Sequence, residues 1–119
     1  MKALSCTTVF HVSDVRLSLQ YYTEILGFAE DFILGDYAGL YYDHILIHLC
    51  GPQNQGIKKM PGNTLLCIEC DEVDRFHGIL SARGALILNA PEDRIYGLRD
   101  FAVNDPDGNT VVFGVALSV

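Results

Sequence analysis

The sequence predicts an α+β fold of two tandem βαβββ modules, whose strands form a curved, partly open mixed sheet around a concave ligand cleft. Two observations carry this. The chain repeats itself at close to half its length, and each copy reads as a strand, an amphipathic helix and three further strands. Asp14 and Gly27 bracket the first helix, and Asp71 and Gly84 bracket the second at the same offset (71 − 14 and 84 − 27, both 57) in a chain of 119 residues.

In the first copy Val15, Leu19, Tyr22 and Leu26 fall on one helical face, with Asp14 placed to cap the free N–H groups. Val73, Phe76 and Leu80 do the same in the second, with Asp71 as cap and Asp74 three positions on. Gly27 and Gly84 suit the left-handed residue that ends a helix. Strand-like runs follow over Ala29–Leu34, Tyr37–Tyr42 and Ile45–Cys50, then over Ala85–Asn89, Leu98–Asn104 and Thr110–Val115. Turns are expected at Gly35-Asp36, at Asp43-His44 and, most strongly, at Asp105-Pro106-Asp107-Gly108. One module therefore spans about 4–50 and the other about 63–117, joined by a polar linker over 51–62 within a single domain, 1–119. A lone module leaves one sheet face bare, so the two are expected to enclose a concavity, where ligand sites collect.

Composition bounds the function. Half the residues are hydrophobic and 19% are charged, enough apolar material for one core and too much for a disordered chain. Eight basic residues against fifteen acidic ones give a net charge of −7, which argues against a nucleic-acid partner, since that affinity rests on Lys and Arg neutralising phosphates. A cationic small molecule suits the charge better, and an aromatic one would find the tyrosines and phenylalanines to stack on. No run of apolar residues reaches membrane-spanning length, and no apolar stretch precedes Cys6 as a lipoprotein leader requires. A cytoplasmic location is the expectation. Cys67 and Cys70 form a C-x-x-C inside a strand, where a separation of three sends the thiols to opposite faces, so they are read as structural.

Three stretches give the pattern a family. Val12-Ser13-Asp14-Val15 leads through Ser18-Leu19-Gln20-Tyr21-Tyr22 to Leu26-Gly27-Phe28. Cys70-Asp71-Glu72-Val73 opens the second helix, and Tyr96-Gly97-Leu98-Arg99-Asp100-Phe101 runs into Asp105-Pro106-Asp107-Gly108-Asn109. In this order they span nearly the whole chain, which resembles the vicinal-oxygen-chelate superfamily: glyoxalase I, extradiol dioxygenases, and bleomycin-resistance and related drug-binding proteins.

The resemblance implies one divalent metal on the concave sheet, with a ligand from the first and last strand of each module. Counting from the landmarks puts those four positions at Thr7, His48, Leu65 and Val112. Three of the four hold side chains of little use to a metal. A shift by one residue offers only Cys6 or Thr8, Thr64 or Leu66, and Val111 or Phe113. No bound metal and no other cofactor is therefore expected. Metal-assisted glyoxalase, epimerase and dioxygenase chemistries lose their electrophile. The turn at 105–109 is not a calcium loop, because its Gly stands fourth and its twelfth position is Ala116. P-loop, G-x-G-x-x-G and G-x-S-x-G motifs are absent.

The candidate ligand-binding set is Thr7, Val9, His11, His48, Leu65, Glu69, Tyr96, Arg99 and Val112. His48 shares a strand face with Leu46 and Cys50, while Ile45, Ile47 and Leu49 point under the helices. His11 shares a face with Thr7 and Val9; it faces the cavity or ends an exposed strand. Glu69 alternates with Leu65 and Cys67 and meets either a cationic ligand or Arg99. His44 and His77 read as turn and helix-surface residues.

Two functions from different classes follow. The first is a binding protein resembling the bleomycin-resistance group, which sequesters a drug or metabolite without transforming it. Phe32, Tyr37, Tyr41, Tyr42 and Tyr96 are available to stack on flat rings, and Arg99 to grip an anionic or carbonyl group. The second is a lyase, isomerase or dioxygenase-type enzyme of the same superfamily with His48 as base or metal ligand, and Thr7 or Tyr96 donating to a developing oxyanion. The resemblance also implies a homodimer, with the cleft formed within one chain or across two.

Overall fold

In the computed structural model, which describes residues 1–118, each half of the chain builds its own mixed sheet with one helix across it. The first half runs β1 (Thr8–His11), α1 (Val15–Gln20), β2 (Ala29–Ile33), β3 (Tyr37–Tyr42) and β4 (Ile45–Cys50), with sheet order β1-β4-β3-β2. The second runs β5 (Leu65–Glu69), α2 (Val73–Arg83), β6 (Leu86–Ile87), β7 (Glu92–Asp93), β8 (Leu98–Asn104) and β9 (Thr110–Ala116), in order β5-β9-β8-β6, with β7 also on β8. The opening strand of each half pairs parallel to the closing strand (β1 with β4, β5 with β9), and the other pairs are antiparallel. The strand expected over Ala85–Asn89 contracts to β6, and the chain regains β8 only through the extra short strand β7.

Alternation decides the layers. Phe10, Leu40, Ile47 and Leu49 of the first sheet, and Phe101, Val103, Val111 and Phe113 of the second, are buried beneath the helices. Val15, Leu19 and Tyr22 meet them from the first helix, Val73 and Leu80 from the second. Most side chains on the opposite sheet faces stay accessible, Cys50 and Asp100 being buried there: the molecule measures 47 × 41 × 23 Å, a slab in which neither sheet covers the other.

Asp14 caps α1, accepting the Leu17 N–H at 3.1 Å. Asp71 does not cap α2. Glu72 takes the N-cap position with no side-chain bond to the helix, and its carboxylate pairs with Arg75 at 3.3 Å instead. Gly27 (φ 88°) and Gly84 (φ 84°) hold the left-handed turns where the helices end.

The first helix departs from its expected geometry. After Gln20 it widens into a π turn over Tyr21–Ile25, with the Leu26 N–H reaching back five residues to the Tyr21 carbonyl at 3.1 Å. There the two adjacent tyrosines both reach the second module: Tyr22 donates to Asp105 Oδ2 at 3.1 Å and Tyr21 to the Asn104 carbonyl at 2.6 Å.

The Asp105–Asn109 turn closes this seam. Asp105, 2% exposed, accepts from the backbone N–H groups of Asp107 and Asn109, from Asn109 Nδ2 and from Tyr22. Asn109, fully buried, also donates to the His11 carbonyl and accepts from the Thr64 N–H. The turn read from sequence as a simple hairpin is thus the rivet between modules. The junction between the Tyr42–Ile45 turn and the start of α2 has no such bonds among the described residues. It stays open as a cleft of about 950 Å³ on the helix side.

Candidate functional site

The accessible face of the first sheet is aromatic around one imidazole. Strand register sets Val9, His48 and Gly39 side by side across β1, β4 and β3, with Tyr41 beside Leu46 one step away. Over Gly39 lies the ring of Phe32; a Cβ at Gly39 would overlap it. Phe32 reaches this face because of a β-bulge between Glu30 and Phe32, which adds a residue and turns the side chain from the helix side to the open side. Phe32 and Tyr37 lie near-parallel with centroids 6.4 Å apart, and the His48 ring stands edge-on to both at 5.3 and 5.2 Å. Tyr37 Oη and His48 Nδ1 are 2.8 Å apart. Burial, with the Cys50 thiol nearby, holds the Tyr37 phenol above its ordinary pKa, so it keeps its proton at neutral pH.

The accessible face of the second sheet carries a cleft of about 620 Å³. Two register rows form its floor: Cys67, Val112 and Ala102, then Glu69, Gly114 and Asp100. Leu65, 63% exposed, and Tyr96, 64% exposed, border it. Asp100 is fully engaged, accepting from Tyr96 Oη at 2.5 Å and from Arg94 Nε at 2.8 Å. Burial pushes its carboxyl upward, but those two hydrogen bonds and the guanidinium charge outweigh it and hold the group below the ordinary carboxylate range. The hydrogen bond to Asp100, reinforced by burial, raises the Tyr96 phenol. Glu69 makes no ion pair or hydrogen bond with its side chain among the described residues. It is the carboxylate on this face left for a ligand.

The predicted residues therefore divide. Val9 and His48 meet on the first face; Leu65, Glu69, Tyr96 and Val112 meet on the second. Thr7 is exposed ahead of β1. His11 lies at the end of β1, where its Nδ1 accepts from the linker's Lys59 N–H at 3.4 Å. Arg99 does not join the cleft. It shares the helix side of β8 with Phe101 and Val103, where Asp74 of α2 and Asp93 of β7 clamp it, each at 2.9 Å. Of the two partners the sequence offered Glu69, a cationic ligand or Arg99, the second is not met, since Arg99 is taken by Asp74 and Asp93. Alternation against Phe101 and Val103 could have placed Arg99 there and Asp100 in the cleft; nothing local to Arg94 announced its part. Of the two tyrosines at the end of β3, Tyr41 is on the open face and Tyr42 packs inward against Phe28 and Phe76. His44 occupies the turn, while His77 packs edge-on against Phe101 at 5.2 Å rather than lying free on the helix surface.

The larger helix-side cleft is a weaker candidate despite its size. Its depth is inter-module core, Phe28 and Phe113 at 3% exposure each, and its rim carboxylates Asp43, Asp71 and Glu72 are solvated. Of the predicted set it borders only Glu69.

The donor set does not fit a superfamily-type metal. Thr7, Leu65 and Val112 supply no strong donor beside His48, and among the described residues no three His, Cys, Asp or Glu side chains group to hold an ion. Cys67 lies exposed on the cleft face and Cys70 packs inward against the core, so the C-x-x-C pair does not converge. No helix of the described residues is long and apolar enough to cross a membrane.

Comparison with known proteins agrees with this architecture. The model of the Glyoxalase/Bleomycin resistance protein/Dioxygenase superfamily matches residues 7–113. A bleomycin resistance protein of Geobacillus stearothermophilus is 26% identical over 117 aligned residues, covering 86% of this chain and 89% of that protein. The bleomycin-binding protein of bleomycin-producing Streptomyces verticillus, solved with copper(II)-bleomycin, superposes with a TM-score of 0.79 at 26% identity, covering 100% of this chain and 99% of that one. TioX from Micromonospora sp. ML1 shares the fold, with a TM-score of 0.81 at 18% identity over 97% of this chain and 100% of that one.

Proposed function

Since the chain belongs to the glyoxalase/bleomycin resistance protein/dioxygenase superfamily, we propose that it binds and sequesters a small molecule without a catalytic metal. The carrying observation is the pair of open sheet faces. One offers stacked aromatic rings around His48; the other offers an apolar floor with the unpaired Glu69 carboxylate. A ligand with a flat ring and a cationic group matches both, through stacking and through charge. The bleomycin-named relatives support a small-molecule ligand; the reading does not extend to bleomycin itself.

Thermal shift against a library of flat cationic drugs and metabolites tests this. A binder present at a hundred times its Kd stabilises the fold by about 2.7 kcal/mol and raises Tm accordingly. The shift is expected to be unchanged by EDTA and by added Zn2+, Ni2+ or Mn2+. Turnover that needs a divalent metal and disappears in His48→Ala would overturn the reading.

Each face is half of an enclosure. No side chain of the first sheet's open face lines the cleft over the second. Val9, Tyr41, Leu65 and Tyr96 are large exposed apolar groups on these faces. We infer that a second copy supplies the facing half, so that the first face of one protomer closes over the second face of its partner. Light scattering at micromolar concentration is expected to give twice the mass of the 13.2 kDa chain; a monomer would overturn the shared cleft.

A further inference from the structure

The Tyr37–His48 pair fixes which atom the open face of the first sheet presents to a ligand. A phenol is a stronger donor than acceptor, and the bare nitrogen of neutral imidazole is the strongest uncharged acceptor nearby. Tyr37 Oη makes no other hydrogen bond among the described residues, so its single proton is available to Nδ1 at 2.8 Å. The raised phenol pKa keeps that proton in place through neutral pH. The reverse arrangement, with Nδ1–H donating to Tyr37, would use the weak acceptor and leave the phenol proton without a protein partner.

We propose that Tyr37 donates to His48 Nδ1 and thereby holds His48 as the Nε2–H tautomer, so that the first sheet's open face offers an N–H donor and selects flat ligands carrying an acceptor atom. A neutral imidazole protonated on one nitrogen accepts on the other. With Nδ1 engaged, Nε2 carries the proton. Among the described residues Nε2 has no hydrogen-bond partner, and Ser18 Oγ is the sole side-chain polar atom both fully buried and unpartnered, so Nε2 is reachable from outside. Phe32 and Gly39 complete the arrangement: the bulge brings the Phe32 ring over the glycine, edge-on to the imidazole. A ligand ring lying against these aromatics places an in-plane carbonyl oxygen or ring nitrogen toward Nε2–H. Neither a metal nor a substrate proton can take the same nitrogen while Tyr37 is the donor. Tyr37 is thus a positioning residue acting through His48, and the ligand class rests on the binding reading above.

Imidazole nitrogen shifts, measured by two-bond proton–nitrogen correlation NMR on the full chain, decide it. At about pH 8 the expected spectrum shows a protonated Nε2 and a bare, hydrogen-bonded Nδ1 for His48. Tyr37→Phe should keep the fold and move both shifts toward the averaged values of an unconstrained imidazole. A bare Nε2 in the wild type, or shifts unmoved in Tyr37→Phe, would overturn the proposal. Quinoline and naphthalene then serve as probes of equal shape differing by one acceptor nitrogen. Quinoline is expected to shift the Nε2 proton and naphthalene to leave it; equal effects from both would remove the acceptor requirement. If neither probe perturbs any residue of the two faces, the selection of acceptor-bearing ligands is refuted as well, while a fixed Nε2–H tautomer would still be read from the chain alone.

Discussion

Asn109→Ala is expected to cost about 3 kcal/mol or more of folding stability, the largest single effect of a polar substitution in this chain. The side chain is fully buried and bonds three separate segments: Nδ2 donates to the His11 carbonyl at 3.1 Å and to Asp105 at 2.9 Å, and Oδ1 accepts from the Thr64 N–H at 3.0 Å. Truncation leaves the Thr64 donor and the His11 acceptor, both part-buried, facing the space the amide filled, at about 1–3 kcal/mol each. His11 ends β1 and Thr64 precedes β5, so the loss falls on the seam between the modules rather than on one turn. Chemical denaturation should show the lower midpoint, and Tm should fall by roughly 10 °C. Asp107→Asn is the control. Among the described residues its carboxylate accepts only from the exposed Ser13 N–H across the same seam, and a change within about 0.5 kcal/mol is expected. A loss under about 1 kcal/mol in Asn109→Ala would mean the modules are held by their apolar contacts alone.

The second expected result is a loss of stability at alkaline pH that Tyr22 controls. Tyr22 is fully buried, and burial first, then the Asp105 carboxylate that accepts its hydrogen bond, drive its pKa far above the ordinary value of 10. In the unfolded chain the same phenol ionises near pH 10. The contribution is therefore complete below pH 10 and drains away above it, because the unfolded state then binds fewer protons than the folded one. For a fully buried phenol the slope approaches about 1.4 kcal/mol per pH unit. Tyr21, half-buried and also raised chiefly by burial, adds a smaller part in the same direction. Tyr22→Phe should remove close to one proton from the pH dependence of unfolding between about pH 10 and 12, while lowering stability at neutral pH through the lost donor to Asp105. An unchanged alkaline slope in Tyr22→Phe would place the titrating group elsewhere.

Both results concern residues whose types the sequence displayed but whose partners it did not. Asp105 and Asn109 read as turn formers, and Tyr22 as one apolar-face residue of a helix. Their joint burial depends on the π turn, which brings Tyr21 and Tyr22 to the second module together, and nothing in the spacing of the helix marks that extra residue. The same limit applies to the cap of α2. Asp71 stood at the repeat offset from Asp14, yet the helix begins one residue later, where the Glu72 carboxylate turns to Arg75.

Periodicity by itself determined the two βαβββ modules, the left-handed glycines at the helix ends, the hairpin at 105–109 and the side of β4 that carries His48. These are local properties, written in residue type and alternation. What only the tertiary structure decided is where strict alternation breaks and which charges find each other. The bulge after Glu30 carries Phe32 to the open face, an outcome that period-two counting reverses. Asp74 of α2 and Asp93 of the neighbouring short strand β7 hold Arg99 on the helix side, while Arg94 and Tyr96 take Asp100. Some of these partners are close in sequence, such as Arg94 and Tyr96 with Asp100, and others far, such as Asp74 with Arg99, but in each case the meeting depends on where bulges, turns and packing place the side chains. Those positions are set when the sheets twist and pack, so residue type and alternation alone do not specify them.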